Sequence, residues 1–344
     1  MIEEWNSFLL SRGAHVEDSV PSDFGGADKE RQCVLNSDVK TSLSHMGVIT
    51  VSGDDAAEFL QGQLTNDIQA VTENSSQLSA YCSPKGRVLA LFRIHRHTDS
   101  YHLCLPRALL EPTLKRLNMY VLRAKVVLAD ASNTSVRIAV SGAGMRCQLE
   151  QLLGAVPQHV DEVLSGDDLT VLALPGLQPR YEIIGSAAAI ITLWDKLEGT
   201  AVGAPAWELL DILAGQPQVW PATRDEFVPQ MINLDLLSAI NFKKGCYTGQ
   251  EIVARVNYLG KLKRRMYLAH IDADQQLEPG AALIDGSDDE GRRVGSVVST
   301  QRNAASGWQL LAVVQIALVG NAPVHLGARS GPLLHFETLP YAVD

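Results

Sequence analysis

Along residues 1–135, short apolar runs typical of β-strands alternate with segments in which apolar residues recur at helical spacing. The first twelve residues predict a short helix. The polar stretch Ser19–Lys29, which contains a proline and two glycines, predicts a loop. The elements predicted after this loop are a strand at Val48–Val51, a helix at Asp54–Gln63, strands at Gln77–Cys82, Arg87–His95 and Tyr101–Leu105, a helix at Ala108–Tyr120 and a strand at Lys125–Ala129.

The same order of element types recurs in the middle of the chain, which predicts two βαββαβ-like halves without a detectable sequence repeat. Helix Ala206–Ala214 then lies between Pro205 and Gly215, residue types that favour a helix start and a helix stop. The middle elements are a strand at Val136–Val140, a helix at Met145–Leu153, strands at Thr170–Leu174 and Arg180–Ile184, and a helix at Ala187–Glu198.

From Arg264 onward the pattern changes to short β-type runs broken by Gly, Asn and Asp, which predicts a small β-barrel or sandwich. The chain is therefore expected to be an α+β protein with a C-terminal β-barrel. Its expected domains are 1–135, 136–262 and 263–344. The β-type runs are Arg265–Ile271, Ala281–Ile284, Arg293–Thr300, Trp308–Leu318 and Val324–Gly327.

The charge of the chain is distributed unevenly. Its 344 residues carry a net charge of −10, and residues 1–60 hold 11 acidic and 4 basic residues, or 11 − 4 = 7 of that excess. Residues 243–265 carry seven basic residues and one acidic residue. This balance argues against general nucleic-acid binding and favours a site for one anionic ligand.

Five scattered cysteines without a CxxC pair indicate a reducing compartment and no disulfide framework. We find neither a signal peptide nor an apolar run long enough for a membrane helix, and a cytoplasmic protein without membrane partners is expected. His95, His97 and His102 lack a completing carboxylate or thiol, so no metal site is predicted.

The densest candidate chemistry lies in Lys243-Lys244-Gly245-Cys246-Tyr247-Thr248-Gly249-Gln250-Glu251. Thr248 and Glu251 have the spacing of a capping box, which places Cys246 just before a helix N-terminus and beside Lys244. Both features would favour the thiolate. The alternative is a small buried cysteine at a tight turn.

This segment, followed by Ile252-Val253-Ala254-Arg255, resembles the defining motif of the YgfZ family. These are folate-binding proteins related to the glycine-cleavage T-protein, an aminomethyltransferase. Further matches are Phe59–Asp67, Phe227-Val228-Pro229-Gln230 with Asn233-Leu234, and Lys261–Arg265, in family order across residues 46–270.

The resemblance implies two ferredoxin-like units arranged around a central folate channel, followed by the barrel. It also implies that the protein binds tetrahydrofolate or a one-carbon-substituted folate. It further implies that the protein supports iron–sulfur cluster assembly or repair, and thereby tRNA modification, with iron–sulfur enzymes or assembly proteins as its partners. Physically, a folate requires an apolar wall, a polar group for its amino-pyrimidine edge and cations for its carboxylates.

By this resemblance Cys246 is the functional thiol, with Lys244 and Tyr247 beside it. Trp207 matches a family tryptophan in contact with folate, whereas the second aromatic position falls at Met46. Trp207 could equally be a core residue, and Gln230 and Asn233 could equally cap the short helix that follows them rather than bind a pterin. The expected ligand contacts are Trp207, Met46, Gln230, Asn233, Gly249, Gln250, Glu251 and Arg255.

One departure argues against aminomethyl transfer, since Leu89 and Ala90 stand where the resemblance places the catalytic aspartate. Neither side chain can exchange a proton. An accessory protein is therefore expected rather than an enzyme. The alternatives are a folate-dependent one-carbon transferase and a direct tRNA-binding protein.

Overall fold

The computed structural model describes residues 2–258, 260–288 and 290–343. The helices are α1 Glu3–Ser11, α2 Ala27–Asn36, α3 Ala56–Gln63, α4 Leu110–Asn118, α5 Met145–Leu153, α6 Ala187–Lys196, α7 Ala204–Leu213 and α8 Gln250–Tyr258. The strands are β1 His15–Glu17, β2 Val20–Asp23, β3 Val39–Ser42, β4 Met46–Ser52, β5 Ser76–Cys82, β6 Val88–His97, β7 Ser100–Pro106, β8 Val127–Asp130, β9 Val136–Ser141, β10 Val163–Ser165, β11 Leu169–Leu174, β12 Arg180–Gly185, β13 Thr200–Ala201, β14 Arg264–Ile271, β15 Ala282–Asp285, β16 Arg293–Arg302, β17 Trp308–Gln315, β18 Val324–Leu326 and β19 His335–Glu337.

Two β-sheets lie in the first two thirds of the chain, as the hydrophobic pattern predicts. One has the strand order β5–β6–β7–β4–β8, and the other has the order β10–β11–β12–β9–β3–β13. Helix α5 illustrates why apolar spacing predicted the helices. Met145 and Leu149, four residues apart, are both fully buried, and Gly154 with φ 84° ends the helix. The α+β class is confirmed.

The C-terminal strands form one six-stranded sheet with the order β18–β15–β16–β17–β14–β19, curled into half a barrel. Alternate apolar residues of β14, β16 and β17 pack together on one face of this sheet. The predicted barrel is therefore found as a curled sheet whose edges are β18 and β19. The short strand β19 was not predicted.

The predicted loop at Ser19–Lys29 is wrong, because β2 and the start of α2 occupy it. Helix α2 lacks a clear apolar face, since Glu30 and Val34 are its buried residues. The Glu30 carboxylate is satisfied by backbone N–H groups, accepting from Phe24 at 2.6 Å and from Gly203 at 2.8 Å. A buried carboxylate fixes this segment where apolar periodicity would normally do so.

The chain folds into two compact units. The first unit comprises Met1–Phe59, Gln69–Gln77 and Arg93–Leu210, and the second comprises Leu60–Ile68, Leu78–Phe92 and Asp211–Asp344. The division into residues 1–135, 136–262 and 263–344, the two ferredoxin-like units and the central channel stay predictions. No helix in the part of the chain that the structure describes is both long and apolar enough to cross a membrane.

Two glycines of the second unit bring the β5–β6 turn against the start of α8. The turn is closed by a hydrogen bond from Gly86 N to Ser83 O at 2.9 Å. Gly249 has φ +85°, and a Cβ there would lie 2.5 Å from Ser83 O and 2.9 Å from the Cα of Gly86. Gly249 is thus required by close backbone packing and by its left-handed conformation.

Replacing Gly249 with Ala should therefore lower the free energy of unfolding by roughly 2–4 kcal/mol, because both the clash and the positive φ must be accommodated. Urea denaturation followed by circular dichroism measures this change. Gly245→Ala is the matched control, since no heavy atom lies within 4 Å of its Cβ position. A Gly249→Ala variant as stable as Gly245→Ala would contradict the packing argument.

Candidate functional site

The candidate chemistry of residues 243–251 lies in a loop of the second unit and in the start of α8, into which the loop leads. Lys244 anchors this loop: its Nζ donates to Leu64 O at 2.8 Å and to Asn66 O at 2.7 Å. Burial lowers the pKa of Lys244 to about 8, and the nearby Asp67 carboxylate partly opposes this effect. Lys244 is thus a structural anchor of the loop, bound to backbone carbonyls.

Tyr247 is buried, and the Lys244 Nζ lies 5.4 Å from the centre of its ring. Burial raises the pKa of the Tyr247 hydroxyl, with a smaller contribution from Cys82. Between these two held residues the Cys246 side chain is exposed to solvent. The alternative of a buried cysteine at a tight turn is therefore wrong.

The predicted capping box is also wrong in its register. Helix α8 begins at Gln250, and its first intrahelical bond runs from Val253 N to Gly249 O at 3.3 Å, so Gly249 occupies the cap position. The local reason is the left-handed Gly249, which delays the helix start by one residue. Cys246 thus lies four residues before the helix, farther from its N-terminal partial charge than the sequence indicated.

The remaining predicted contacts of this segment differ in exposure. Gln250 is partly buried, whereas Glu251 and Arg255 are exposed on α8. Arg265, at the end of the basic stretch, is held in an ion pair with Asp235 at 2.8 Å and also donates to Gln230 O. Arg265 and Lys244 are therefore occupied within the protein, and the exposed cations of the stretch are Lys243, Arg255, Lys261 and Lys263.

Gln230 is buried and uses one of its two amide ends. Its side chain is 2% exposed, and its Nε2 donates to Val253 O at 2.7 Å. Because a carbonyl can only accept, this bond fixes the orientation of the amide. Its Oε1 is buried and has no hydrogen-bond partner, which leaves one acceptor unsatisfied.

Asn233, by contrast, is used in the structure itself. It has a left-handed conformation with φ 59° and caps the 3₁₀ turn Pro229–Ile232. Its Nδ2 donates to Met266 O at 2.9 Å and lies 3.4 Å from the Tyr341 hydroxyl. Asn233 therefore ends the turn that precedes it, rather than capping a helix that follows, and both polar atoms of its amide bond to the backbone of Met266 in β14.

In the first unit, Trp207 and Met46 belong to one apolar cluster with Leu43, Ala139, Leu174 and Leu210. Trp207 is 2% exposed, and the Arg180 guanidinium lies 4.3 Å from the centre of its ring. The structure thus brings together the two positions expected to form an apolar wall. It also places Trp207 in a core, which was the alternative reading.

Asp225 was not predicted as a site residue, although it lies next to the strand that carries Leu89 and Ala90. Leu89 and Ala90 are buried, and the Asp225 N–H donates to Val88 O at 2.9 Å. Asp225 is exposed, has φ 64°, and accepts from the Ser83 hydroxyl at 2.7 Å. Burial, with a contribution from Asp225, raises the pKa of Cys82 to about 12. The sequence signal that could have identified Asp225 is its position just before the family match Phe227–Gln230.

No three His, Cys, Asp or Glu side chains within residues 2–258, 260–288 and 290–343 are grouped as a metal site. His95 and His102 do lie close together, with ring centres 5.0 Å apart. Burial, with smaller effects of His97 and Arg137, lowers the pKa of His102 to about 4.

The Lys244 anchor predicts a specific pH dependence of stability. Since its pKa falls from 10.5 to about 8 on folding, the unfolded chain binds more protons between these values, and stability rises with pH there. Lys244→Met removes this gain, so the stability of the wild type relative to the variant should increase from about pH 7.5 to about pH 10.

Denaturant titrations across this range measure the difference, and Lys243→Met, which alters an exposed neighbour, is the control. A constant difference between the wild type and Lys244→Met would disprove the burial of a charged ammonium.

Comparison with known proteins connects this geometry to a family. The model of the GCVT N-terminal domain matches residues 16–163. The tRNA-modifying protein YgfZ of Colwellia psychrerythraea is 31% identical over 302 residues, covering 88% of this chain and 92% of that protein. The protein of the same name from Escherichia coli is 32% identical over 305 residues, covering 88% and 93%.

Among solved structures, the glycine cleavage system aminomethyltransferase T of Bartonella henselae has a TM-score of 0.81 at 19% identity. The match covers 99% of this chain and 98% of that one, and it shows that the two share a fold. The identity with the bacterial relatives extends over 88% of the chain and confirms the resemblance found in the motif. The chain belongs to the YgfZ family.

Proposed function

We propose that this protein binds a tetrahydrofolate and acts, through the Cys246 thiol, as an accessory factor for tRNA modification. The observation that carries the proposal is that the Cys246 thiol is exposed while the residues on either side of it are held in place. Lys244 is bound to two carbonyls, Tyr247 is buried, and Gly249 is packed against a turn. A thiol presented in this way is accessible to a reaction partner without rearrangement of the loop.

One feature of the first unit supports a folate as the ligand. Trp207 and the partly buried Met46 belong to one apolar cluster, and a pterin ring requires apolar and aromatic neighbours of this kind. A folate carrying a one-carbon group would supply that group for transfer or redox chemistry.

The relatives named tRNA-modifying protein suggest where the activity is used. We infer that the protein supports the iron–sulfur enzymes that thiolate tRNA, rather than binding tRNA itself. The net charge of −10 opposes broad contact with a polyanion, and two cations of the basic stretch are engaged within the fold.

A folate-dependent transferase is the second candidate. It would need a carboxylate near β6, where Leu89 and Ala90 are apolar and buried. Asp225 supplies a carboxylate beside Val88, but it already accepts a hydrogen bond from Ser83. We therefore rank transfer below the accessory role.

Folate binding is tested by calorimetric titration of the wild type with tetrahydrofolate and with 5-formyltetrahydrofolate. Trp207→Leu should weaken binding at least about tenfold, since it removes an aromatic surface. Trp194→Leu is the matched control, because Trp194 is equally buried but lies in a different cluster of the same unit. No binding by the wild type, or equal losses in both variants, would contradict the proposal.

The thiol is tested in a bacterial strain that lacks its own YgfZ, with thiolated nucleosides in tRNA measured by mass spectrometry. Cys246→Ala should reduce complementation to the level of the empty strain while folate affinity and thermal stability stay unchanged. Cys147→Ala is the control, since Cys147 is the other exposed cysteine. Full complementation by Cys246→Ala would exclude a role for the thiol.

A further inference from the structure

We propose that the first unit contains a binding site for a small organic carboxylate, which shares Met46 with the expected folate contacts but is built on two arginines, Arg107 and Arg137. A small cavity, partly open to solvent, lies among β3, the start of β4, the start of β9 and helix α1. Its polar lining includes Arg107, Arg137 and serines from β3 and from the segment before β9. The inference does not rest on folate binding.

Arg137 provides the principal observation. Its side chain is inside the protein, with the residue 8% exposed, and its Nε donates to Glu182 at 2.6 Å. Its Nη2 is also paired with Glu182. Its Nη1 has no hydrogen-bond partner. A buried guanidinium N–H without an acceptor is costly, and an anion drawn into the cavity would supply that acceptor.

Arg107 adds the charge that the ligand would balance. The Arg137 charge is already matched by Glu182, whereas Arg107 is in no ion pair within the described residues. Its position is set by a bond from its backbone N–H to His45 O at 2.9 Å. Burial, with a smaller effect of Arg137, lowers the pKa of His45 to about 4, so this histidine is neutral near pH 7.

The negative charge of Asp130 near the cavity favours a ligand with a single negative charge. Asp130 is exposed and accepts from the hydroxyl of Ser132, which lines the cavity. With one unpaired guanidinium in the lining and the Asp130 carboxylate bonded to a lining serine, a monoanion is favoured over a phosphate dianion. A carboxylate also matches the two-pronged donor geometry of a guanidinium.

The rest of the lining indicates an organic ligand. Trp5, Leu43, Met46 and Val136 form an apolar part of the wall, against which a short hydrocarbon body would pack. The Trp5 Nε1 donates to the Ser42 hydroxyl at 3.0 Å, and this hydroxyl lies 3.0 Å from that of Ser44. The Trp5 indole is therefore coupled to the polar lining and reports on its occupancy.

Propionate is the probe, titrated at about pH 7 into folate-free, ¹⁵N-labelled full-length protein while the five tryptophan indole signals are followed by NMR. The Trp5 signal, assigned with Trp5→Phe, should shift to saturation with a dissociation constant on the order of 1 mM. Arg107→Gln should weaken binding at least about tenfold. Arg137 is left intact, because its removal would bury the Glu182 charge unpaired.

Arg123→Gln is the matched control, since this exposed arginine lies outside the cavity, and its affinity should stay within about twofold of the wild type. Inorganic phosphate should bind more weakly than propionate. A Trp5 signal that does not saturate, equal affinity in Arg107→Gln, or tighter binding of phosphate would each overturn the assignment.

Discussion

The candidate site depends on one buried ammonium. Lys244 loses part of its hydration in the fold, and the two carbonyls of Leu64 and Asn66 replace that water. An ammonium donates in several directions at once. One side chain therefore holds residues 243–249, the motif loop, to a segment about 180 residues earlier in the chain. Tyr247 then packs beneath the ammonium, and the cysteine between the two residues is left facing solvent.

Polar contacts also tie residues 230–235 of the second unit to the C-terminal sheet. Asn233 holds the backbone of Met266 in β14, and Arg265, on the same strand, pairs with Asp235. Gln230 joins this segment to α8 through Val253. Hydrogen bonds therefore connect α8, the 3₁₀ turn Pro229–Ile232 and β14 within the unit. The buried Oε1 of Gln230 accepts no hydrogen bond among them.

Much of the fold was readable from the sequence because it follows from local apolar periodicity. Helix α5 was predicted with its observed bounds, since Met145 and Leu149 share a face and a glycine follows. Helix α2 was missed because a carboxylate, Glu30, occupies the position where an apolar residue would normally signal burial. No local pattern predicts that Glu30 will accept a hydrogen bond from the backbone of Gly203, 173 residues away in the chain.

The sequence motif located the candidate loop, but it did not predict how its residues are bonded or how exposed they are. The motif supplied the candidate residues, whereas the anchoring of Lys244 and the contacts of Asn233 with β14 depend on contacts between distant segments. The one-residue shift of α8 arose from a backbone approach at Gly249 that spacing alone does not reveal.

The two edges of the C-terminal sheet have a consequence for the behaviour of the protein at high concentration. Strands β18 and β19 have three residues each, and the carboxylate of Glu337 in β19 lies 2.9 Å from His270 Nδ1. An approaching strand from another molecule therefore finds few free backbone groups and a charged border at β19. The sheet is protected against edge-to-edge aggregation by the brevity of its outer strands.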